Sequence, residues 1–306
     1  MFKHGSAGKT VKRIKASAQL YILLLPAFAF FLIYHYLPIY GVQIAFREYN
    51  AIGGIIGSPW VGLKHFVSFF TSPQFTTLIS NTLAISLSQL VFGFPLPIIL
   101  ALMLNEVDTP IFKKTVQNIT YIPHFVSIVV LCGMVRVFLS QRGIINQILN
   151  LLTGSTTDFL SSSSAYRWYY IISGLWQETG WNSIIYIAAL AGIDAEILEA
   201  SKIDGASRLQ KVVYINIPSI FPTIVILLIL QCGKIMGVGY EKSYLLQNAT
   251  NLSVSEIIST YVYKRGLLNS QYSFSAAVGL FDSVINLILL ITVNSISKKL
   301  GETSLW

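Results

Sequence analysis

Few side chains in this sequence could do chemistry, and most of them stand inside long apolar runs. They are ionisable, amide and indole groups: Arg136, Trp176, Gln177, Glu178, Trp181, Asn182, Gln231, Lys234, Asp282 and Asn286. Several are three or four residues apart and would share one face of a helix: Glu178 with Asn182, Asp282 with Asn286, and Gln231 with Lys234. Hydrogen-bonding groups beside aromatic rings are suited to holding a polar solute.

An enzyme active site is not indicated. The carboxylates are scattered rather than paired, and no nucleophile elbow or metal-ligand motif occurs between the apolar runs. The histidines are isolated in the sequence: His4, His35, His65 and His124. Cys132 and Cys232 have no Cys or His at metal-binding spacing, so we expect small buried thiols there. The sequence predicts no catalytic residues, no cofactor in this chain and no metal site.

The tripeptide Gly8-Lys9-Thr10 is similar to the end of a phosphate-binding loop. Such a loop needs the pattern G-x-x-x-x-G-K-[ST] between a strand and a helix. Here Lys3 occupies the position of the first glycine, and no strand pattern precedes it. We therefore expect that this chain does not bind a nucleotide and that any ATP chemistry belongs to a partner.

The composition is that of a membrane protein. Of 306 residues, 54% are hydrophobic and 11% charged, with a mean hydropathy of +0.64, whereas soluble domains carry about 25% charged residues. A helix needs about 20 apolar residues to cross the hydrocarbon. Six stretches qualify, which predicts an all-α polytopic protein: about 19–40, 82–104, 123–140, 168–190, 219–238 and 275–297.

The distribution of lysine and arginine predicts the orientation. With the N-terminus inside, the inner segments hold twelve of these residues and the outer loops seven. This bias favours an N-in, C-in arrangement. Much of it comes from residues 1–18, a basic cytoplasmic tail beside anionic lipid, with Lys3, Lys9, Lys12, Arg13 and Lys15. The basic residues do not form a nucleic-acid patch, and we expect no nucleic-acid partner.

This orientation places Arg136, Glu178, Lys234 and Asp282 in the central-to-outer half of the bundle, where an outward-opening solute cavity would lie. Sugars bind to such groups by hydrogen bonds and stacking. An alternative is that Arg136 and Lys234 snorkel to the outer headgroups and the tryptophans form an interfacial belt. For the two basic residues both interpretations stay open. For Glu178 we favour the cavity, because a carboxylate near the middle of a span cannot easily reach the headgroup region.

The inner loop at 191–218 concentrates charge in an otherwise apolar chain. Its seven charged residues are Asp194, Glu196, Glu199, Lys202, Asp204, Arg208 and Lys211. Good helix formers at 195–203, a turn at Asp204-Gly205 and a second helical stretch at 206–213 predict a helix–turn–helix. Pro218 would then open the fifth span. The plain alternative is a solvated loop that joins two spans.

The loop resembles the EAA loop of ABC importer permeases. That pattern is E-A-A, a glycine after three more residues, and I-x-L-P about ten residues on. The matching residues here are Glu199, Ala200, Ser201 in place of the second alanine, Asp204, Gly205, Ala206, Ile215, Ile217 in place of leucine, and Pro218. Both departures preserve size or polarity and threaten neither the helix nor the turn.

The resemblance extends over nearly the whole chain. Leu37-Pro38, 45–47, Gly62-Leu63 and 81–83 resemble oligosaccharide permeases of the carbohydrate-uptake class. The stretches 237–241, 260–263 and 279–281 resemble the polysaccharide branch known as the LplB family. The resemblance implies a type I, MetI-like permease fold at 19–306 with a core at about 80–298 and a coupling loop at 191–218. It also implies a multi-pass location in the bacterial cytoplasmic membrane.

The same resemblance implies function and partners. The loop would form a coupling helix in a groove of an ATPase, with Glu199 facing a basic residue. The partners would be a second, homologous permease, giving a heterodimer, two ABC ATPases that bind ATP and Mg, an extracellular or periplasmic solute-binding protein, and membrane lipid. The cargo would be an oligosaccharide or polysaccharide fragment. It would be acidic if Arg136 and Lys234 line the path. The alternative is a secondary transporter or channel, but no clear repeat between the halves is seen.

Overall fold

The computed structural model describes residues 17–301 and 303–306 of the chain. Most of the predicted basic tail, including Lys3 to Lys15, and the Gly8-Lys9-Thr10 motif lie outside the described residues. Within them the chain is helical, and the β-structure consists of two isolated bridges, Arg47–Trp60 and Asn50–Gly54. The predicted all-α fold is confirmed.

The first half of the described chain builds three spans and the segments between them. Its helices are α1 (Ala18–Phe31), α2 (Gly54–Gly57), α3 (Lys64–Phe70), α4 (Phe75–Gly93), α5 (Pro95–Asn105), α6 (Pro110–Tyr121), α7 (Ile128–Leu139) and α8 (Ile144–Thr153). A π-helical turn (Leu32–Tyr36) and a 3-10 helix (Leu37–Phe46) continue α1, and a second 3-10 turn (Ile122–Phe125) follows α6. The second span is interrupted at Phe94, just before Pro95, because proline cannot continue the hydrogen-bond ladder.

The second half contains the longest helix and the charged inner loop. Its helices are α9 (Ser163–Ala191), α10 (Ala195–Ile203), α11 (Arg208–Lys211), α12 (Ile217–Cys232), α13 (Tyr240–Leu246), α14 (Leu252–Ser255), α15 (Ile258–Tyr263) and α16 (Tyr272–Lys299). Two π-helical turns, Val212–Asn216 and Lys264–Leu268, follow α11 and α15.

Five stretches of the described residues are long and apolar enough to cross a membrane: Ala18–Phe46, Phe75–Asn105, Ile128–Thr153, Arg208–Cys232 and Tyr272–Lys299. The predicted span at 168–190 is not among them, although it lies in α9, which has 29 residues and is about 43 Å long. Its middle carries Gln177, Glu178 and Asn182, which lower its apolar character. Because α9 packs against α4, α5, α6, α7 and α12, Gln177 is buried between helices and Glu178 is half-buried, while Asn182 is exposed in this chain.

The predicted span at 123–140 is wrong in its bounds. The helical path begins earlier, at Pro110, and breaks between Phe125 and Ile128, where Val126 and Ser127 are extended. Ser127 caps α7 by accepting a hydrogen bond from Val130 N. A break inside a span is tolerated only where protein or a cavity supplies partners for the freed backbone. The predicted third span therefore contains a break, and the stretch that is long and apolar enough to cross a membrane begins after it, at Ile128.

The fifth span also differs from its predicted bounds of 219–238. Helix continues from Arg208 to Cys232 through the π-helical turn at 212–216. Pro218 therefore lies within the helical path rather than at its start. The π turn supplies the reason: it shifts the hydrogen-bond register before proline, which has no N–H to donate. At the other end, Lys234 stands in the turn after the helix and not within the span.

The outer connection between the last two spans is part of the core. The sequence suggests a simple surface connection, but Ser243, Asn251, Ser255 and Thr260 are fully buried. The side chain of Asn251 explains this, since it bonds to the backbone of Leu160 and Leu246 and to the Tyr169 hydroxyl. Buried polar groups that satisfy one another let a polar segment fold inward.

Candidate coupling loop and solute path

The inner loop is a rigid helix–turn–helix. Asp194 caps α10 by accepting a hydrogen bond from Glu196 N at 3.0 Å. Gly205 has φ +73°, and Ala206 N donates to Ser201 O at 3.0 Å, which closes the helix with a Schellman turn. Ser207 and Gln210 then form a capping box that starts α11. The predicted helix, glycine turn and second helix are present.

The residues that match the EAA pattern divide into an exposed set and an anchored set. Glu199, Ala200, Asp204, Gly205 and Ala206 are exposed in the chain. Ser201 is buried beneath them, and its Oγ donates to Leu198 O at 2.7 Å. The geometry presents a carboxylate and a tight turn outward from a stiff support, which is a shape suited to docking on another protein.

The second set holds the loop to the bundle. Ile215 and Ile217 are half-buried, and Ile217 packs against a core cluster that includes Leu102 of α5 and Leu190 of α9. Pro218 remains exposed. Ile217 therefore ties the returning limb of the loop to α5 and α9.

Sequence reasoning missed a polar anchor at the same place. Glu106, the first residue after α5, accepts a hydrogen bond from Asn216 Nδ2 at 3.0 Å and lies 3.1 Å from Lys211 Nζ. Asn216 is fully buried. Beside this anchor, Arg208 and Asp108 form an exposed ion pair at 2.8 Å. The only signal in the sequence was the opposite charge of Glu106 and Lys211, because Glu106 lies 110 positions from Asn216.

Two of the predicted path residues form one cluster. Glu178 Oε2 lies 3.1 Å from His124 Nδ1, and the His124 ring stacks on Trp181 with centroids 4.3 Å apart and planes 3° apart. Phe125 meets Trp181 edge-on at 5.5 Å. Both His124 and Phe125 belong to the broken part of the third span. His124 is isolated in the sequence, and only the fold reveals its carboxylate neighbour.

Gln177 supports the break itself. Its Nε2 donates to Val126 O at 2.8 Å, and Gln177 is buried. An unwound backbone within a membrane needs such partners. This residue therefore holds the broken segment, and its amide is occupied by that contact.

Asn182, Gln231 and Lys234 line a single cavity of about 210 Å³. The cavity lies between α9, the end of α12 and the junction of α4 and α5, where Phe94 and Pro97 form part of its wall. Asn182 is one helical turn from Glu178, so the cavity continues the face that carries the histidine cluster. An ammonium and two amides in a cavity can bind the carboxylate and hydroxyl groups of a polar solute.

The remaining predicted path residues lie elsewhere. Arg136 is exposed and its guanidinium donates to Leu245 O, so it holds the backbone of α13. Trp176 lines a separate, apolar groove with Phe138 and Trp168. Asp282 and Asn286 are 3.5 Å apart in α16. Asn286 Oδ1 accepts a hydrogen bond from Met236 N at 2.9 Å, which fixes the turn that follows α12.

A buried lysine was also missed. Lys242 of α13 is 7% exposed, its Nζ donates to Tyr170 O at 2.7 Å, and it lies 4.5 Å from the centroid of the Tyr170 ring. Burial lowers the pKa of Lys242 to about 8, while the charge of Glu178 acts in the opposite direction. Its place in a supposed surface connection concealed its burial.

No group of three or more His, Cys, Asp or Glu side chains that could hold a metal ion occurs among residues 17–301 and 303–306. Cys132 and Cys232 are free thiols, the first buried and the second half-buried.

Similarities to characterised proteins extend over the full length. The chain is 42% identical over 307 residues to the polygalacturonan/rhamnogalacturonan transport system permease protein YteP of Bacillus subtilis, covering 100% of this chain and 96% of that protein. It is 42% identical over 305 residues to protein LplB of the same organism, covering 98% and 96%. These findings confirm the resemblance to the LplB branch.

A solved structure supports the fold. The chain superposes with a TM-score of 0.88 and 40% identity on a chain of a bacterial ABC transporter involved in the import of the acidic polysaccharide alginate, covering 96% of this chain and 100% of that one. A second structure, of the alginate transporter with a periplasmic protein bound to an alginate pentasaccharide, matches with a TM-score of 0.87.

The family model for the inner membrane component of binding-protein-dependent transport systems matches residues 93–302, which include the coupling loop and four of the six predicted spans. The predicted membrane location and type I permease fold are thereby confirmed, and neither an enzyme nor a secondary carrier is supported. The chain belongs to the family of binding-protein-dependent transport system inner membrane components.

Proposed function

We propose that this chain forms half of the translocation path in an ATP-driven importer of acidic oligosaccharides, and that α10 is the element that meets an ATPase. A second homologous permease would complete the path. Two cytoplasmic ATPases would bind ATP and Mg, and a solute-binding protein outside the membrane would deliver the cargo. The chain itself would lie N-in and C-in, with residues 191–218 on the ATPase side.

The observation that carries the coupling proposal is the form of the loop. A capped helix, a Schellman turn and a capping box hold Glu199 on the exposed face of α10, while Ile217 is packed in the core. A flexible linker would bend when the ATPase moves, whereas a stiff element passes the movement on to the helices that it packs against. This form supports a mechanical contact rather than a simple connection between two spans.

The acidic cargo is supported by charge and by similarity. Lys234 lies at the cavity with two amides, so a carboxylate could be paired while sugar hydroxyls are hydrogen-bonded. The similar proteins are named for polygalacturonan, rhamnogalacturonan and alginate. Arg136 is not used in this proposal, because it bonds to the backbone of α13.

The coupling proposal is tested by copurification. Tagged Glu199→Lys should retain less than about a tenth of the ATPase that the natural chain brings down, because it places a like charge against a basic partner surface. Glu241→Lys makes the same charge change at an exposed site in the outer segment and should leave copurification unchanged. Equal recovery of ATPase by both variants would contradict the proposal.

The cargo proposal is tested by uptake. In the complete importer, Lys234→Ala should lower uptake of an oligouronate about tenfold, as expected for the loss of one charge-assisted contact of about 1.4 kcal/mol. Uptake of a neutral oligosaccharide of equal length should be low in both proteins. Lys299→Ala, an exposed change at the end of α16, is the matched control. Equal uptake of both sugars, unchanged by Lys234→Ala, would remove the acidic assignment.

A further inference from the structure

The inner end of α5 and the returning limb of the coupling loop are joined through one carboxylate. Glu106 Oε1 accepts from Asn216 Nδ2 at 3.0 Å and lies 3.1 Å from Lys211 Nζ. The side chains of Glu106 and Lys211 are 15% and 21% exposed, and Asn216 is fully buried. A single oxygen thus contacts two residues of the loop from an otherwise apolar helix end.

The two contacts bracket the π-helical turn. Lys211 is the residue just before the turn at 212–216 and Asn216 is its last residue. A π turn within a helix is an irregularity that is frequently found at functional sites. Glu106 therefore holds both sides of the irregular turn between α11 and α12.

Stability alone does not account for this arrangement. Partly buried ion pairs are often no more stabilising than apolar residues of the same volume, because both charges must lose water. The surrounding cluster is apolar and includes Leu102 and Ile217. An aliphatic contact would therefore hold the two elements at least as well, although with less control of direction.

The other end of α5 reaches the cavity. Phe94, which precedes α5, and Pro97 near its start line the same space as Asn182, Gln231 and Lys234. With 11 residues, α5 is about 16 Å long. The contacts therefore run from the exposed tip of α10, through Lys211 and Asn216 to Glu106, and along α5 to the cavity wall.

We propose that Glu106 is a positioning residue that couples movement of the loop to the cavity wall formed by α5. The inference rests on the proposed coupling function of residues 191–218. It predicts that removal of the charge leaves the ATPase attached but lets it hydrolyse ATP without moving solute.

A neighbouring ion pair provides the matched control. Arg208 and Asp108 also join the loop to the segment after α5, at 2.8 Å, but their side chains are 74% and 85% exposed. Exposed pairs contribute little. Asp108→Asn therefore removes the same kind of charge, two residues from Glu106, without touching the buried anchor.

The test measures ATP hydrolysed per sugar imported by the complete importer reconstituted in vesicles. Glu106→Gln should raise this ratio about fivefold or more, the low end of typical coupling energies, and copurification of the ATPase should be unchanged. Lys211→Met should have a similar effect, and the exchange Glu106→Lys with Lys211→Glu should restore part of the coupling. Asp108→Asn should match the natural chain.

A normal ratio for Glu106→Gln would overturn the inference. The inference would also be overturned if Glu106→Gln lowered uptake, ATPase activity and thermal stability in equal proportion. Such a result is expected for a residue that only supports the fold. Failure of the coupling function itself would show differently, as unchanged ATPase recovery by Glu199→Lys. The two failures are therefore distinguishable.

Discussion

His124 lies flat against Trp181, with ring centroids 4.3 Å apart and planes inclined by only 3°, and its Nδ1 is 3.1 Å from Glu178 Oε2. The histidine comes from the 3-10 turn before the break in the third span, and the other two residues come from α9. The broken segment thus brings an aromatic ring with a hydrogen-bonding nitrogen against the side of α9, where His124 and Glu178 remain partly exposed. In an uninterrupted helix, successive side chains would instead point in directions about 100° apart around the helix axis.

We expect Trp181→Ala to lower sugar uptake about tenfold, because it removes both the support of the His124 ring and a surface for stacking. Trp181→Phe should retain most of the uptake, since a ring remains. Uptake is measured in the complete importer, with Trp306→Ala, an exposed change near the end of the chain, as the control. Uptake by Trp181→Ala at the natural level would show that the stack has no part in the path.

Gly180 permits a close approach between α6 and α9. A Cβ built at Gly180 would lie 2.0 Å from Thr120 O, a distance at which backbone must move. We expect Gly180→Ala to destabilise the chain by about 1–3 kcal/mol through overpacking. Thermal unfolding in detergent measures the effect. Gly133→Ala is the control, because a Cβ there meets nothing within 4 Å and alanine favours the helix. Equal midpoints for the two variants would contradict this prediction.

The turn of the coupling loop depends on Gly205, whose φ is +73°. We expect Gly205→Ala to cost about 1–2 kcal/mol, since an L-residue with a Cβ is strained there. The measurable result is faster proteolysis of the loop and weaker recovery of the ATPase. Gly205→Asn should behave more like the natural chain, because asparagine tolerates left-handed backbone. If alanine and asparagine were equivalent, the turn would not set the shape of the loop.

Lys242 predicts a pH dependence of stability. Burial lowers its pKa to about 8 from the ordinary value of 10.5. Below pH 8 both the folded and unfolded chains carry the proton, and the folded chain bears the full penalty of a buried charge. Between pH 8 and 10.5 the unfolded chain binds more protons, so a rise in pH favours folding. The gain is at most about 3 kcal/mol.

The measurement compares unfolding midpoints of the natural chain and Lys242→Met from pH 7 to pH 10. Groups distant from Lys242 titrate alike in both proteins, so the difference between them follows the charge of Lys242 and of its immediate neighbours. The natural chain should gain stability relative to the methionine variant as pH rises. Lys242→Met also loses the contact with Tyr170 O. That loss shifts the unfolding midpoint of the variant already at pH 7, but it does not change the trend with pH. A constant difference across the range would show that the folded chain keeps this lysine protonated as easily as the unfolded one.

The sequence determined the features that depend on local pattern. Apolar length predicted the membrane spans. The helix formers at 195–203 and the turn signal at Asp204-Gly205 predicted a helix–turn–helix, because helices and turns depend on near neighbours. The resemblance of residues 199–218 to the EAA loop indicated the family, and the family match at 93–302 agrees with it. Spans three and five were misplaced, since hydropathy does not register a break at Val126 or a π turn at 212–216.

Which polar residues meet depends on how the helices pack. Sequence placed Arg136, Lys234 and Asp282 at similar depth, yet the fold directs Arg136 to the Leu245 backbone and Lys234 to the cavity. It also joins Glu106 to Asn216 and His124 to Glu178, pairs separated by 110 and 54 positions. The depth of a residue in the membrane follows from its position along one helix. Which residues touch depends instead on how each helix is rotated about its axis and packed against its neighbours. In an apolar bundle many such rotations are compatible with the same hydropathy pattern.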